Sequence, residues 1–538
     1  MPREKKPSLV LPTAGVLPLP PRLAYAGALL SGLLYWLAFA GMDVWPLAFV
    51  AWVPLLIAMQ RQTPRRAALL GWLAGTTMNF CGFFWLNTFL KVFSGFPTPL
   101  CLLFVLIVCS FQGGRIALMG WLHGRASARG WPGPLVFAAA FAASELLYPL
   151  LFPWYYAATV HQVPALLQLA DVGGPILVGL VLVAVNLAVA EPLLARLERR
   201  KPAVAVLGTG AVSVAFALCY GYLRIGAVDA TAQAAPGNTV GVVQANMGLI
   251  EKRVSFNDGL QRHLDLSDDI VRTGHADFLV WSETSAMRPV RDDRYRDDLK
   301  YGVARNIGRQ PGTTQTTPTI FGAVVIKPVA GDREYIAYNT AVASNPHGVI
   351  TSRYDKQFLL AFGEYLPFGD SFPILYRWSP NSGHFSSGTS LDPLLLDIED
   401  ADHKLTEHKI TVLICYEDIL PEFTNDAVRH ADPDLLVNMT NDAWFGDTTE
   451  PWEHLALAQL RAVEHRRYLV RGTNSGVSAV VDPVGRVIAR SGTFRPESIS
   501  AVIHWLRART VYERIGDWPW LLASAALVAG CFRRRRSS

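Results

Sequence analysis

Thr411-Val412-Leu413-Ile414-Cys415-Tyr416-Glu417 is a short apolar run, rich in β-branched residues, that ends on a thiol and a carboxylate. A continuous run of this kind, bounded by polar residues, reads as a strand buried on both faces. Similar runs recur at 240–243, 278–281, 319–326, 435–439 and 477–481. Polar stretches with helical patterning lie between them at about 254–273, 293–309 and 452–467. Residues 239–508 therefore read as one α/β domain. Within it, 477–488 reads as a hairpin, with Asp482-Pro483 and Gly485 as turn formers. The acidic, poorly periodic stretch 391–408 reads as a surface insertion, and no internal repeat of fixed period is present.

The flanking sequence has a different character. Of the 538 residues 51% are hydrophobic and only 17% charged, against about 25% charged in an average soluble domain. Charges are sparse from 23 to 223, which reads as a membrane half. A helix crossing a bilayer core of about 30 Å needs roughly 20 apolar residues. Spans are expected at 23–40, 44–60, 67–90, 99–122, 133–156, 164–190 and 203–223, with an eighth at 517–532 after the α/β domain.

The segment 1–22, the second, fourth and sixth connections and the tail 533–538 carry Lys and Arg, whereas the intervening loops hold only Lys91. By the positive-inside rule both termini face the cytoplasm and the α/β domain lies outside it. A cleaved signal peptide is the competing reading of the first span, whose basic leader precedes Ala38-Phe39-Ala40. The net charge of +5 is explained by these basic loops, so no nucleic-acid partner is expected. Arg115 and Glu145 fall inside spans and are expected to face the bundle, where they can pair.

Six cysteines are present, and Cys415 alone lies in the α/β half. A lone thiol there forms no internal disulfide, and no CxxC spacing points to a metal. Two further polar signals end apolar runs: Phe278-Leu279-Val280-Trp281-Ser282-Glu283, and Tyr354-Asp355-Lys356 leading into Phe362-Gly363-Glu364-Tyr365. A thiol of pKa about 8.5 needs a base or a positive charge beside it to act as a nucleophile. Glu283 is suited to accept its proton, and Lys356 to favour the thiolate and hold an oxyanion. Each signal alone has an ordinary structural reading, as core packing or surface charge; together they make a complete acyl-transfer set.

Glu283 after Val-Trp, Tyr354-Asp355-Lys356, Phe362-Gly363-Glu364-Tyr365-Leu366-Pro367, Cys415-Tyr416-Glu417, Asn441-Asp442-Ala443-Trp444-Phe445-Gly446 and Gly472-Thr473-Asn474-Ser475-Gly476 occur in one order. With Phe152-Pro153-Trp154, Gly173-Gly174 and Asn186 in the helical half, the chain resembles the apolipoprotein N-acyltransferases of the nitrilase (carbon-nitrogen hydrolase) superfamily over nearly its whole length. The resemblance implies an αββα sandwich beside about eight transmembrane helices in the bacterial inner membrane, with the catalytic domain periplasmic. It implies Glu283 as general base, Lys356 as stabiliser of the tetrahedral intermediate and Cys415 as the acyl-thioester nucleophile. Glu364 would support Lys356 and the acceptor amine, and Tyr416 and Glu417 would shape the nucleophile turn.

The implied reaction is ping-pong, from a phospholipid donor to the α-amino group of a diacylglyceryl-cysteine on an apolipoprotein, with no metal, nucleotide or coenzyme. Two departures stand out: Ser282 occupies a position where the family commonly has Pro, and no Trp occurs from Met247 to Arg253. The aromatic segment 358–378 is expected either as a lipid-facing lid or as domain core. The rival enzyme reading is a membrane-tethered amidase with water as acceptor. A non-catalytic receptor or transporter is the third class, and the complete Glu283, Lys356 and Cys415 set counts against it.

Overall fold

The computed structural model describes residues 18–248, 251–309, 314–329, 335–361, 363–366, 368–369, 371–372, 374–378, 383–399 and 404–532. The basic tail, most of the leader, and Phe362 and Pro367 of the quoted motif lie outside the described residues.

The α/β half is built from two sheets. The first has the strand order Glu497–His504, Gly237–Gln244, Phe278–Trp281, Thr319–Pro328, Tyr335–Ser344, Ile350–Asp355, and Ala286–Arg291 also pairs with Thr319–Pro328. The second has the order Val487–Arg490, Ala479–Val481, Leu469–Thr473, Leu435–Thr440, Leu405–Ile414, Leu394–Glu399. Period-2 alternation sorts their side chains. Val240, Val242, Phe278, Val280, Ile410, Val412, Ile414, Leu435 and Val437 fill one core between the sheets. Their neighbours Leu279 and Trp281 pack outward with Ile270 of the Phe256–Gly274 helix. On the second sheet Leu436 and Leu469 pack outward against the Glu450–His465 helix. Because both faces are covered, the central strands are apolar throughout, and the result is the expected αββα sandwich.

The segment 391–408 is a correction. It forms an antiparallel edge pair, Leu394–Glu399 with Leu405–Ile414, not a surface insertion. Leu394, Leu396 and Ile398 are buried while the residues between them are partly exposed, so the acidic side chains lie on the open face and hide the alternation.

The helical half departs from the expected spans. By length and apolarity, three helices among the described residues are able to cross a membrane: Thr98–Ser127, Ala170–Leu197 and Val204–Ala234. Pro64–Gly82 and Leu86–Val92, bent by 57°, make a fourth if taken as one span. Pro21–Leu37, Gly133–Leu147 and Trp518–Phe532 are shorter, and the expected 44–60 span is split into a 3-10 turn, Trp45–Phe49, and a helix, Val53–Met59. Hydropathy does not see backbone punctuation. Pro149 and Pro153 follow the early stop at Leu147, and Gly173-Gly174 interrupt Ala170–Leu197 with non-helical φ/ψ.

Buried polar groups tie the helices together. Asn186 accepts from the Trp52 N–H at 2.8 Å and donates to the Ala48 carbonyl at 2.8 Å, pinning the 3-10 turn. Arg115 and Glu145 pair at 3.1 Å as expected, and Arg115 also donates to the Trp154 carbonyl at 2.7 Å. The Val204–Ala234 helix outruns its expected end at 223; at 1.5 Å per residue it is about 46 Å long, so it projects beyond a hydrocarbon core. Ala232 near its end joins the core between the sheets, which couples the two halves.

Candidate active site

Parallel pairing aligns the site. Gly237–Gln244 and Phe278–Trp281 run parallel in one sheet, as do Leu405–Ile414, Leu435–Thr440 and Leu469–Thr473 in the other. Glu283 and Cys415 lie just past the carboxyl ends of such strands, where open α/β sheets present their sites. Cys415 begins a 3-10 turn, Cys415–Ile419, with φ of +52°. A left-handed conformation is costly for a residue with a Cβ, and strain of this kind concentrates where a side chain must be aimed. On the other sheet Gly322 passes directly beneath the Glu283 turn: a Cβ there would lie 2.8 Å from the Ser282 carbonyl oxygen and closer still to the Thr284 nitrogen.

Glu283, Lys356, Glu364 and Cys415 line one cavity of about 390 Å³. Lys356 Nζ lies 2.8 Å from Glu364 Oε2 and 3.9 Å from Glu283 Oε1. Asn339 joins these groups: its side-chain amide donates to Glu283 Oε1 at 2.6 Å and to Glu364 Oε1 at 2.8 Å, and its main-chain carbonyl accepts the Lys356 backbone N–H at 2.9 Å. Burial opposes the Lys356 charge, but the Glu364 carboxylate, with Cys415 and Glu283 behind it, holds its pKa above the ordinary lysine range. Burial pushes Glu283 up against the opposing pull of Lys356. It also raises the Cys415 thiol, and Glu283 adds to that effect. The thiol therefore rests neutral, and a thiolate must be made by proton transfer.

Glu417 and Tyr416 hold the turn. Glu417 Oε1 accepts from the Tyr354 hydroxyl at 2.9 Å and from the N–H groups of Gln357 and Phe358 at 2.7 and 3.0 Å. Its Oε2 accepts the Ile414 N–H at 2.7 Å. One carboxylate thus fastens the segment after Lys356 to the strand carrying Cys415. Burial brings its pKa up to about 7, against Lys356 and these backbone donors. Tyr416 donates to the Leu151 carbonyl at 2.7 Å, fixing the turn to the helical half.

Cys415 also lines a second, narrow cavity of about 40 Å³ with Phe83, Trp85, Phe152, Trp154, Phe445 and other, mostly apolar neighbours. The thiol thus lines both the cavity that holds the charged groups and a narrower apolar one to which the helices contribute Phe83, Trp85, Phe152 and Trp154. Four side chains of the expected lid or core segment, Phe358, Phe368, Phe372 and Ile374, are at least 49% exposed, which counts against the core alternative.

Beneath the turn, Arg471 is paired with Asp418 at 3.2 Å and Asp442 at 3.0 Å and donates to Asn438 at 2.5 Å, while Asn438 donates to the Cys415 carbonyl at 3.3 Å. Asp442, Glu450 and His454 offer ligand atoms within 4.8 Å of one another. His454 Nε2, however, is 2.7 Å from Asp418, and the Arg471 guanidinium already supplies the compensating cation, so the cluster reads as a structural ion network.

The structure brings Glu283, Lys356, Glu364 and Cys415 to one cavity and sets Tyr416 and Glu417 in the turn that starts at Cys415. Sequence reading misses Asn339, a lone amide within the Tyr335–Ser344 strand, and Lys252, which lines the same cavity.

A two-sheet α/β sandwich with a thiol at a strand end defines the carbon-nitrogen hydrolase class, and residues 239–511 match the family described as Carbon-nitrogen hydrolase. Residues 31–188 match the family described as Apolipoprotein N-acyltransferase N-terminal domain. The chain is 28% identical to an apolipoprotein N-acyltransferase of Geobacter metallireducens, covering 96% of each protein. It is 30% identical to that of Pseudomonas putida, covering 93% of this chain and 95% of the relative. Among solved structures, an amidase from Nesterenkonia sp. AN1 is similar at 18% identity and a TM-score of 0.34, over 52% of this chain and 95% of that one. The chain belongs to the apolipoprotein N-acyltransferase family.

Glu417→Gln leaves one oxygen and places an amide N–H against a backbone or tyrosine donor. It is expected to cost about 2–3 kcal/mol, typical of losing buried hydrogen bonds to a charged group, and to lower the melting midpoint in detergent by several degrees. An unchanged midpoint would show that the clamp does not hold the turn.

Proposed function

We propose that this chain transfers an acyl chain from a membrane phospholipid, through a thioester on Cys415, to the α-amino group of an N-terminal diacylglyceryl-cysteine. The observation that carries the reading is the position of Cys415, at the meeting of the Glu283, Lys356 and Glu364 cavity with an apolar cavity walled by the helical half. Glu283 takes the thiol proton as sulfur attacks the ester carbonyl, and the Lys356 ammonium stabilises the oxyanion. The glycerol oxygen leaves with the proton from Glu283, as lysophospholipid. The acceptor amine then attacks the thioester, Glu283 accepts its proton, and the leaving thiolate takes that proton from Glu283, which restores the resting thiol. Glu364 holds Lys356 in place, and Tyr416 and Glu417 hold the nucleophile turn.

The proposed organisation has the helical domain at 23–223, the catalytic domain at 239–508 and a last helix at 517–532. The shorter apolar helices complete eight crossings with their flanking segments, leaving the catalytic domain periplasmic and the termini, with the segment 1–22 and the tail 533–538, cytoplasmic. Support comes from the alternation of basic and non-basic loops. Exposed Phe358, Phe368 and Phe372 suit a lid at the bilayer interface.

Incubation of the purified protein with radiolabelled phospholipid and a diacylglyceryl-cysteine peptide is expected to give a labelled amide at the peptide amine; free labelled fatty acid without amide would favour the amidase reading. The acid limb of acyl-enzyme formation also tests Glu283. The base works only when ionised, so the rate falls as pH drops through its raised pKa, above the ordinary glutamate value of about 4.3. Asn339 donates to the carboxylate and so favours the ionised form. Asn339→Ala is expected to move the limb to still higher pH; a limb that stays in place, or moves down, contradicts Glu283 as base.

A further inference from the structure

Lys252 has no part in the steps above, yet it lines the reacting cavity with Glu283, Lys356 and Cys415. It lies in the short Glu251–Val254 helix and is 8% exposed. Its Nζ donates to the main-chain oxygen of Glu283 at 2.9 Å, and it forms no ion pair among the described residues. An ammonium has three donors, so two remain for the cavity. A buried charge is ordinarily paired, because leaving water without a partner is costly. Lys356 meets this requirement through Glu364, whereas Lys252 does not. Burial lowers the Lys252 pKa to about 8 despite the nearby Glu283, which leaves the side chain mostly protonated at neutral pH and able to gain from an incoming anion.

The missing counter-charge matches the donor. A phospholipid brings a phosphodiester a few bonds from the ester carbonyl that Cys415 attacks, and this group is anionic at all working pH values. We propose that Lys252 binds the phosphodiester of the acyl donor while the ester carbonyl lies at Cys415, so that the first half-reaction selects glycerophosphate esters over neutral acyl esters. This rests on the phospholipid-to-thiol reading of the same site. The contact belongs to donor binding, and its loss should raise KM more than it lowers kcat.

The test uses the full-length protein in detergent, with a phospholipid and with p-nitrophenyl palmitate, a neutral ester lacking phosphate, as alternative donors to Cys415. Lys252→Met is expected to lower the ratio of kcat/KM for phospholipid over the neutral ester by about tenfold to a hundredfold, the range for one hydrogen bond to a charged group. Lys252→Arg, which keeps the cation, is expected to restore most of that ratio. Acylation by the neutral ester also reports that the variant is folded with its thiol active. An unchanged ratio overturns the proposal, as does an equal loss with both donors, which would mean that Lys252 acts through Glu283. If the wild-type protein forms no thioester with either donor, the functional reading itself fails. If it does so with both and only the ratio stays fixed, this inference alone fails.

Discussion

Lys356 carries a positive charge into a place where only 1% of the residue is exposed, and the site is organised around keeping that charge paired. Glu364 at 2.8 Å supplies the counter-ion and Glu283 stands behind it at 3.9 Å. Asn339 fixes all three, binding both carboxylates through its side-chain amide and the Lys356 backbone through its main-chain carbonyl. The pairing of the Tyr335–Ser344 and Ile350–Asp355 strands sets Asn339 next to the start of the Lys356 turn. A one-residue slip in that register would turn Asn339 away and leave the buried Glu283 and Glu364 carboxylates without their shared donor.

The same economy explains why the catalytic half and the helical half form one unit. Tyr416, next to the thiol, is bound to the Leu151 carbonyl, and Trp85 donates to Glu453 of the Glu450–His465 helix at 3.1 Å. On the far end of that helix Arg466 meets Asp171 of the Ala170–Leu197 helix at 2.8 Å, where Arg224 also pairs at 2.9 Å. These contacts are short, polar and mostly buried, so the thiol is held at a constant position relative to the helices. An enzyme acting on lipid needs that constancy, since its apolar cavity is walled by Phe83, Trp85 and Trp154 from the helical half and by Phe445 from the catalytic half.

The central strands and the reactive groups were legible in the sequence for one reason: doubly covered strands are apolar throughout, so a carboxylate or thiol at the end of one stands out. Phe278–Trp281 was read with its observed bounds, and Glu283 and Cys415 followed. The edge pair from Leu394 was not legible, because acidic residues on its open face broke the apolar run. Asn339 was missed because an amide inside a strand carries no sign of its partners, which come from a neighbouring strand and two turns. Lys252 sits in a polar stretch where a lysine is unremarked until its burial is known. The breaks inside the helical half were not legible either, since hydropathy counts apolar residues and does not see where Trp45–Phe49 parts from Val53–Met59 or where Gly173-Gly174 interrupt Ala170–Leu197.

The central claim is that Cys415 carries the acyl group between two lipids. Intact-mass analysis of the protein after incubation with phospholipid alone addresses it directly. The account predicts a gain of one acyl group on the peptide containing Cys415, removed by hydroxylamine as a thioester is, and absent from Cys415→Ala. An adduct that persists in Cys415→Ala, or acyl transfer to an acceptor amine by that variant, would contradict it.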